Sequence, residues 1–127
     1  MGVGGFVAVG VGAAFGAWLR WGLGLLLNPL LPVLPMGTLA ANLVGGYLMG
    51  MAMGVLTHYA SLPAEARLLV TTGFLGGLTT FSTFSAEAVT LLTRQQYGWA
   101  AAHIGSHLIG SLAMTIFGIL TIDFIKS

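Results

Sequence analysis

The stretch Thr71-Thr72-Gly73-Phe74-Leu75-Gly76-Gly77-Leu78-Thr79-Thr80-Phe81-Ser82-Thr83-Phe84-Ser85-Ala86-Glu87 decides how this chain is read. It is apolar enough to enter a membrane, yet Gly73, Gly76, Gly77 and the β-branched Thr79-Thr80 pair weaken a continuous helix at its middle. In hydrocarbon, non-helical backbone survives only where it is buried in protein or lines a water-filled cavity. Broken spans use freed carbonyls to hold cations and freed N–H groups to face anions. A break between Gly76 and Thr80 can do either. Beyond it, Phe81 and Phe84 are three residues apart and project from one side of a second half-helix, where two rings are also ordinary packing.

Outward from this stretch the chain divides into four apolar runs, at residues 3–27, 38–57, 68–92 and 99–124. The loops between them are short: 28–37 with Pro29 and Pro35, 58–67 with Pro63, and 93–98. A soluble domain carries about a quarter of its residues as charges. Here 6% are charged and 57% hydrophobic over 127 residues, with a mean hydropathy of +0.97, so lipid must cover most of the exterior. A span takes about 20 residues, so the length accommodates four spans and no extramembrane domain. The expected fold is an all-α integral membrane protein with four transmembrane helices per subunit, the third broken, forming one membrane domain over residues 1–127.

No Lys or Arg precedes the first run, so it is expected to remain as a span and not to be cleaved as a signal peptide. Met1-Gly2 is not followed by the Ser or Thr of a myristoylation signal. With no cysteine there are no disulfides or thiolate ligands. A net charge of +1 offers no electrostatic footprint for nucleic acid.

With four spans, the termini and the second loop share a face that carries Arg67 and Lys126, and the opposite face carries Arg20 and Arg94. This even division gives no preferred orientation under the positive-inside rule. One expectation is a dual-topology chain pairing as an antiparallel homodimer across a self-complementary twofold interface. The other is a weak bias set by the insertion machinery. Gly12/Gly16, Gly46/Gly50, Gly50/Gly54 and Gly73/Gly77 all have GxxxG spacing, which predicts close helix packing inside the subunit or at a subunit interface.

Polar side chains at membrane depth are costly unless they face protein or a water-filled path. Asn42, four residues after Thr38, needs either a neighbouring helix or a permeating ion for its amide. His103, His107, Ser111 and Thr115 follow one another at i+4, with Ser106 and Gly110 beside them, so one face of the last span is a polar row. The row serves as packing glue or as a track along a pore. The two histidines have the spacing of a metal pair, but no third ligand is evident near them in the sequence.

Taken together, Gly16-Ala17-Trp18-Leu19-Arg20, Gly37-Thr38-Leu39-Ala40-Ala41-Asn42, the whole 71–85 block with Glu87, and Gly110-Ser111 closely resemble the Fluc family of fluoride channels, also called CrcB proteins. The likeness runs along essentially the whole chain. It implies a passive, fluoride-selective channel of the plasma or inner membrane that lowers cytoplasmic fluoride, and not an enzyme. It further implies an antiparallel dual-topology homodimer in the lipid bilayer with two antiparallel fluoride pathways. A structural Na+ at the dimer centre would be held by the backbone carbonyls of Gly76 and Thr79, with no organic cofactor. The ion pathway it implies is Asn42, Phe81, Phe84 and Ser111, with Ser82, Thr83 and Thr115 as a hydroxyl track. Arg20 and Glu87 match charged positions nearer the vestibules.

The residue types suit that chemistry. Desolvating a small anion costs roughly tens of kcal/mol unless donors replace its water. Amide and hydroxyl donors and the positive edges of phenyl rings can do so while binding weakly enough to release the ion. Arg20 would raise the local anion concentration from a vestibule. Two rival classes are weighed against this. A proton-coupled small multidrug exporter needs a membrane carboxylate, for which Glu87 is the candidate, and drug-resistance assays with Glu87→Gln discriminate it. An intramembrane serine hydrolase would pair Ser106 or Ser111 with the histidines, but one helix supplies no oxyanion hole.

Overall fold

The computed structural model describes residues 2–127, and every described element is helical. Helix α1 covers Gly2–Leu27, and a short 3-10 turn, Asn28–Leu30, follows it. Helix α2 covers Met36–His58. Asn28 ties the turn to this helix, because its Oδ1 accepts from the Gly37 amide at 2.7 Å and satisfies a first-turn N–H. A shorter series comes next: α3 (Ala64–Leu68), a π-helical segment Leu69–Leu75, α4 (Gly76–Leu78) and α5 (Phe81–Thr93). Helix α6, Tyr97–Lys126, ends the chain.

Three segments are long and apolar enough to cross a membrane: Gly2–Leu30 with 29 residues, Met36–His58 with 23 and Tyr97–Lys126 with 30. The remaining run is not one helix. It is continuous over 64–78, extended at Thr79 and Thr80, and helical again from Phe81. The expected break therefore falls at its C-terminal end. Gly76 and Gly77 stay helical, and the threonine pair interrupts, with φ −83°, ψ 154° at Thr79 and φ −149°, ψ 119° at Thr80. The π-helical turn at Leu69–Leu75 has no counterpart in the sequence reading. Loop bounds shift slightly as well, since Met36 and Gly37 open α2 while Glu65 and Arg67 lie in α3.

The glycines show where helices touch. Helices α2 and α6 form the most extensive pairing, where a Cβ on Gly50 would strike the Thr115 carbonyl and one on Gly118 the Tyr47 carbonyl. Helix α1 lies against the π-helical turn and α4, where Gly12, Gly16 and Gly77 leave no room for a methyl group. The GxxxG residues thus serve contacts within the chain. Apolar residues are distributed inside out. The buried core cluster is small, Ala41, Leu75 and Leu78, whereas Phe6, Trp21 and Phe124 are largely exposed. This is the arrangement of a multi-pass membrane protein, whose outer surface meets acyl chains.

Candidate functional site

The break is held by side chains from two other helices. Asn42 of α2 accepts from the Thr80 amide at 2.8 Å through Oδ1 and donates to the Thr80 carbonyl at 3.1 Å through Nδ2. In an unbroken helix the Thr80 amide would serve the Gly76 carbonyl, so its diversion to Asn42 frees that carbonyl. The Gly77 carbonyl accepts from Arg20 Nε of α1 at 3.1 Å, which satisfies the next orphan group and sets a positive charge at the C-terminal end of α4. Thr79 turns inward on itself, with its amide and hydroxyl both donating to the Leu75 carbonyl at 3.0 and 2.9 Å. On the far side, Thr80 Oγ1 accepts from the Thr83 amide at 3.1 Å and caps α5.

Beside the break runs an open groove of about 410 Å³. Seven of the eleven residues expected in the path, the vestibules or the cation site line it: Asn42, Gly76, Thr79, Phe81, Phe84, Ser111 and Thr115. Ser82, Thr83, Arg20 and Glu87 are not among its lining residues. The polar row of α6 divides, because His107, Ser111 and Thr115 face the groove while His103 is buried beside Glu87. Thr80 and His107 join the lining without having been assigned to the path. The sequence marks Thr80 as a helix-weakening β-branched residue, and His107 as a member of the i+4 row and of a pair with metal-ligand spacing.

Several roles expected from the resemblance look different in atomic detail. Asn42 has two N–H hydrogens. One goes to Thr80 and the other to His107 Nδ1 at 2.9 Å, so neither is free for an anion in this arrangement. The Thr115 hydroxyl has a single hydrogen, shared between the Gly46 and Ser111 carbonyls at 3.0 Å each, and it pins α6 to α2. Glu87 accepts from the Thr38 hydroxyl at 2.7 Å, and Ser106 donates to the Ala102 carbonyl at 2.6 Å, away from any histidine. Phe81 and Phe84 meet at 5.5 Å between ring centroids, yet they differ in setting. Phe81 is 80% exposed, whereas Phe84 lies over His103 at 5.3 Å and His107 at 4.7 Å.

Long apolar helices, a polar break held by half-buried side chains and an uncharged groove alongside it define a polytopic helical membrane protein with its polar chemistry gathered at one interrupted segment. The model of the family described as "CrcB-like protein, Camphor Resistance (CrcB)" matches residues 7–119. A fluoride-specific ion channel FluC from Nitrosospira multiformis is 62% identical over 125 residues, covering 98% of this chain and 98% of its own. Similar proteins of the same name come from Cupriavidus necator, 63% identical over 121 residues (95% of this chain, 96% of that one), and Thiobacillus denitrificans, 54% identical over 121 residues (95% and 98%). The chain belongs to the CrcB-like family.

Proposed function

We propose that this protein is a fluoride-selective ion channel of the cell membrane, which lets F− leave passively and so lowers cytoplasmic fluoride. The groove at the break carries the reading: it offers hydroxyl, amide, imidazole and phenyl groups and no Asp, Glu, Lys or Arg among its lining residues. The relatives of similar length, each named a fluoride-specific ion channel, support the choice of ion. Neutral donors replace the water of a small anion without trapping it. Ser111 and the ring edges of Phe81 and Phe84 are the first contacts, with Ser82 and Thr83 continuing the hydroxyl track. Asn42 reaches an anion only by releasing His107, and Thr115 only by releasing the carbonyls it holds. Arg20 and Glu87 set the field at the ends of the path. This is conduction, not catalysis.

In this reading segments 64–78 and 81–93 together form one interrupted span, which makes four per subunit, and two copies pair antiparallel with two pathways between them. The freed Gly76 carbonyl supports pairing. Gly76 is exposed, and a Cβ there would meet nothing nearer than the Thr71 carbonyl at 3.8 Å. Open polar backbone in hydrocarbon is unfavourable, and a second copy laid over the break would cover it. The carbonyls of Gly76 and Thr79 also fit a hard cation such as Na+, being neutral oxygens on a broken span. Such an ion would offset the dipoles gathered at the dimer centre.

Purified protein in liposomes, assayed for efflux with fluoride and chloride electrodes, tests the function. Fluoride efflux should be rapid, chloride efflux absent, and neither should need a proton gradient. Equal halide rates would overturn the selectivity, and strict dependence on a proton gradient would overturn the channel.

A further inference from the structure

His103 and His107 stand one turn apart on α6, and Glu87 of α5 comes up against them. One ligand-capable atom from each of the three lies within 4.8 Å of the other two. His103 Nε2 is 3.3 Å from Glu87 Oε1. Glu87 Oε1, His103 Nε2 and His107 Nε2 are each shut off from solvent and lack a hydrogen-bond partner. The histidines themselves are only 2% and 4% exposed. Buried polar atoms without a hydrogen-bond partner are unfavourable, and a ligand that binds all three relieves the cluster together.

Two imidazoles at i and i+4 on one helix, joined by a carboxylate, are the donor set of a borderline divalent ion, not of an alkali ion that takes carbonyl oxygens. We infer that Glu87, His103 and His107 form a binding site for a transition-metal ion of the Zn2+ class, distinct from the carbonyl site at Gly76 and Thr79. Ligand atoms around a tetrahedral zinc lie about 3.4 Å apart, a spacing that His103 and Glu87 already have. Small side-chain rotations bring His107 in. Thr38 holds Glu87 Oε2 at 2.7 Å and leaves Oε1 to the metal, the kind of outer-shell support that orients a ligand. The Glu87 side chain is 17% exposed and His107 lines the groove, so both offer the ion a way in. A water completes the fourth position.

Loading has a defined consequence for Asn42. A neutral imidazole has one lone pair. If Nε2 of His107 binds the ion, Nδ1 carries the proton; if Nδ1 binds it, its lone pair is used. Either way Nδ1 stops accepting from Asn42. The ion therefore releases one N–H of Asn42 and fixes the two rings against which Phe84 packs.

The test is binding of zinc chloride to tag-free protein in detergent, followed by competition with a chromophoric chelator, with zinc X-ray absorption on the loaded sample. One ion per chain is expected, with a spectrum showing two imidazole ligands. His103→Gln and Glu87→Gln should each weaken binding by more than about tenfold. His58→Gln, which alters the exposed His58–Asp123 pair, should leave it unchanged. No saturable binding, loss of binding in His58→Gln, or an oxygen-only spectrum would overturn the site. The wild-type spectrum decides even if a variant fails to fold. Because the readout is binding, failure here and failure of fluoride conduction are separate results.

Discussion

Asn42 and Thr80 are paired like two peptide groups, the side-chain amide of one giving and taking a hydrogen bond with the backbone of the other at 3.1 and 2.8 Å. The pair closes the gap left where the helix stops, satisfying a backbone N–H and C=O that would otherwise face a low-dielectric surround. It is also the hub of the groove, since the remaining Asn42 hydrogen reaches His107.

Asn42→Ala would orphan the Thr80 amide and carbonyl together. A fully buried unsatisfied group costs about 1–3 kcal/mol, and both of these are only partly buried, so a loss of about 2–4 kcal/mol is expected. Thermal unfolding in detergent, followed by tryptophan fluorescence, measures it. A midpoint equal to that of the wild type would mean that the break holds itself without Asn42.

Phe81 and Phe84 should separate in their effects. Both rings touch the groove, but Phe81 is 80% exposed while Phe84 is stacked on buried His103 and tilted against buried His107. Phe81→Ile is expected to slow fluoride efflux with a stability change within about 0.5 kcal/mol, as for other surface substitutions. Phe84→Ile should slow efflux and also lower stability by about 1–2 kcal/mol through lost ring contacts. Wild-type efflux in both variants would return the rings to packing alone.

The long helices were legible in the sequence because hydrocarbon demands runs of apolar residues, and α1, α2 and α6 begin and end within a few residues of those runs. The interruption was legible from its glycines and threonines, but which of them breaks the helix was not. Gly76 and Gly77 are tolerated inside α4 because Gly77 packs on Ala13 of α1, a tertiary contact that overrides local propensity. The groove lining was mostly visible through residue type and spacing. The Glu87–His103–His107 cluster was not, because its third member comes from a different helix and i+4 reasoning stays within one.

Gln95 offers a test of local backbone energetics. It is the only described non-glycine residue with positive φ, at 60°. The Gln95 amide donates to the Leu92 carbonyl and the Gln96 amide to the Leu91 carbonyl, both at 3.0 Å, which is the Schellman closure of α5. A side chain in left-handed backbone costs about 1 kcal/mol, so Gln95→Gly should stabilise by about that amount and Gln95→Val should destabilise. Chemical denaturation of the two variants beside the wild type gives the comparison. A destabilised Gln95→Gly would show that the glutamine side chain contributes more than its backbone strain takes away.

Arg20 separates charge from position. A charge that only concentrates anions in a vestibule would be replaced adequately by lysine. Here Arg20 donates through Nε, at 3.1 Å from the Gly77 carbonyl. Lysine carries a methylene where arginine carries that nitrogen, so Arg20→Lys keeps the charge and loses the donor. Stability should therefore fall by about 1–2 kcal/mol in Arg20→Lys and Arg20→Met alike, since each leaves the Gly77 carbonyl short of its partner. Efflux at low fluoride should fall further in Arg20→Met, where the charge is also gone. If lysine restores wild-type stability in detergent melts, the hydrogen bond to Gly77 is dispensable and the guanidinium acts through its field alone.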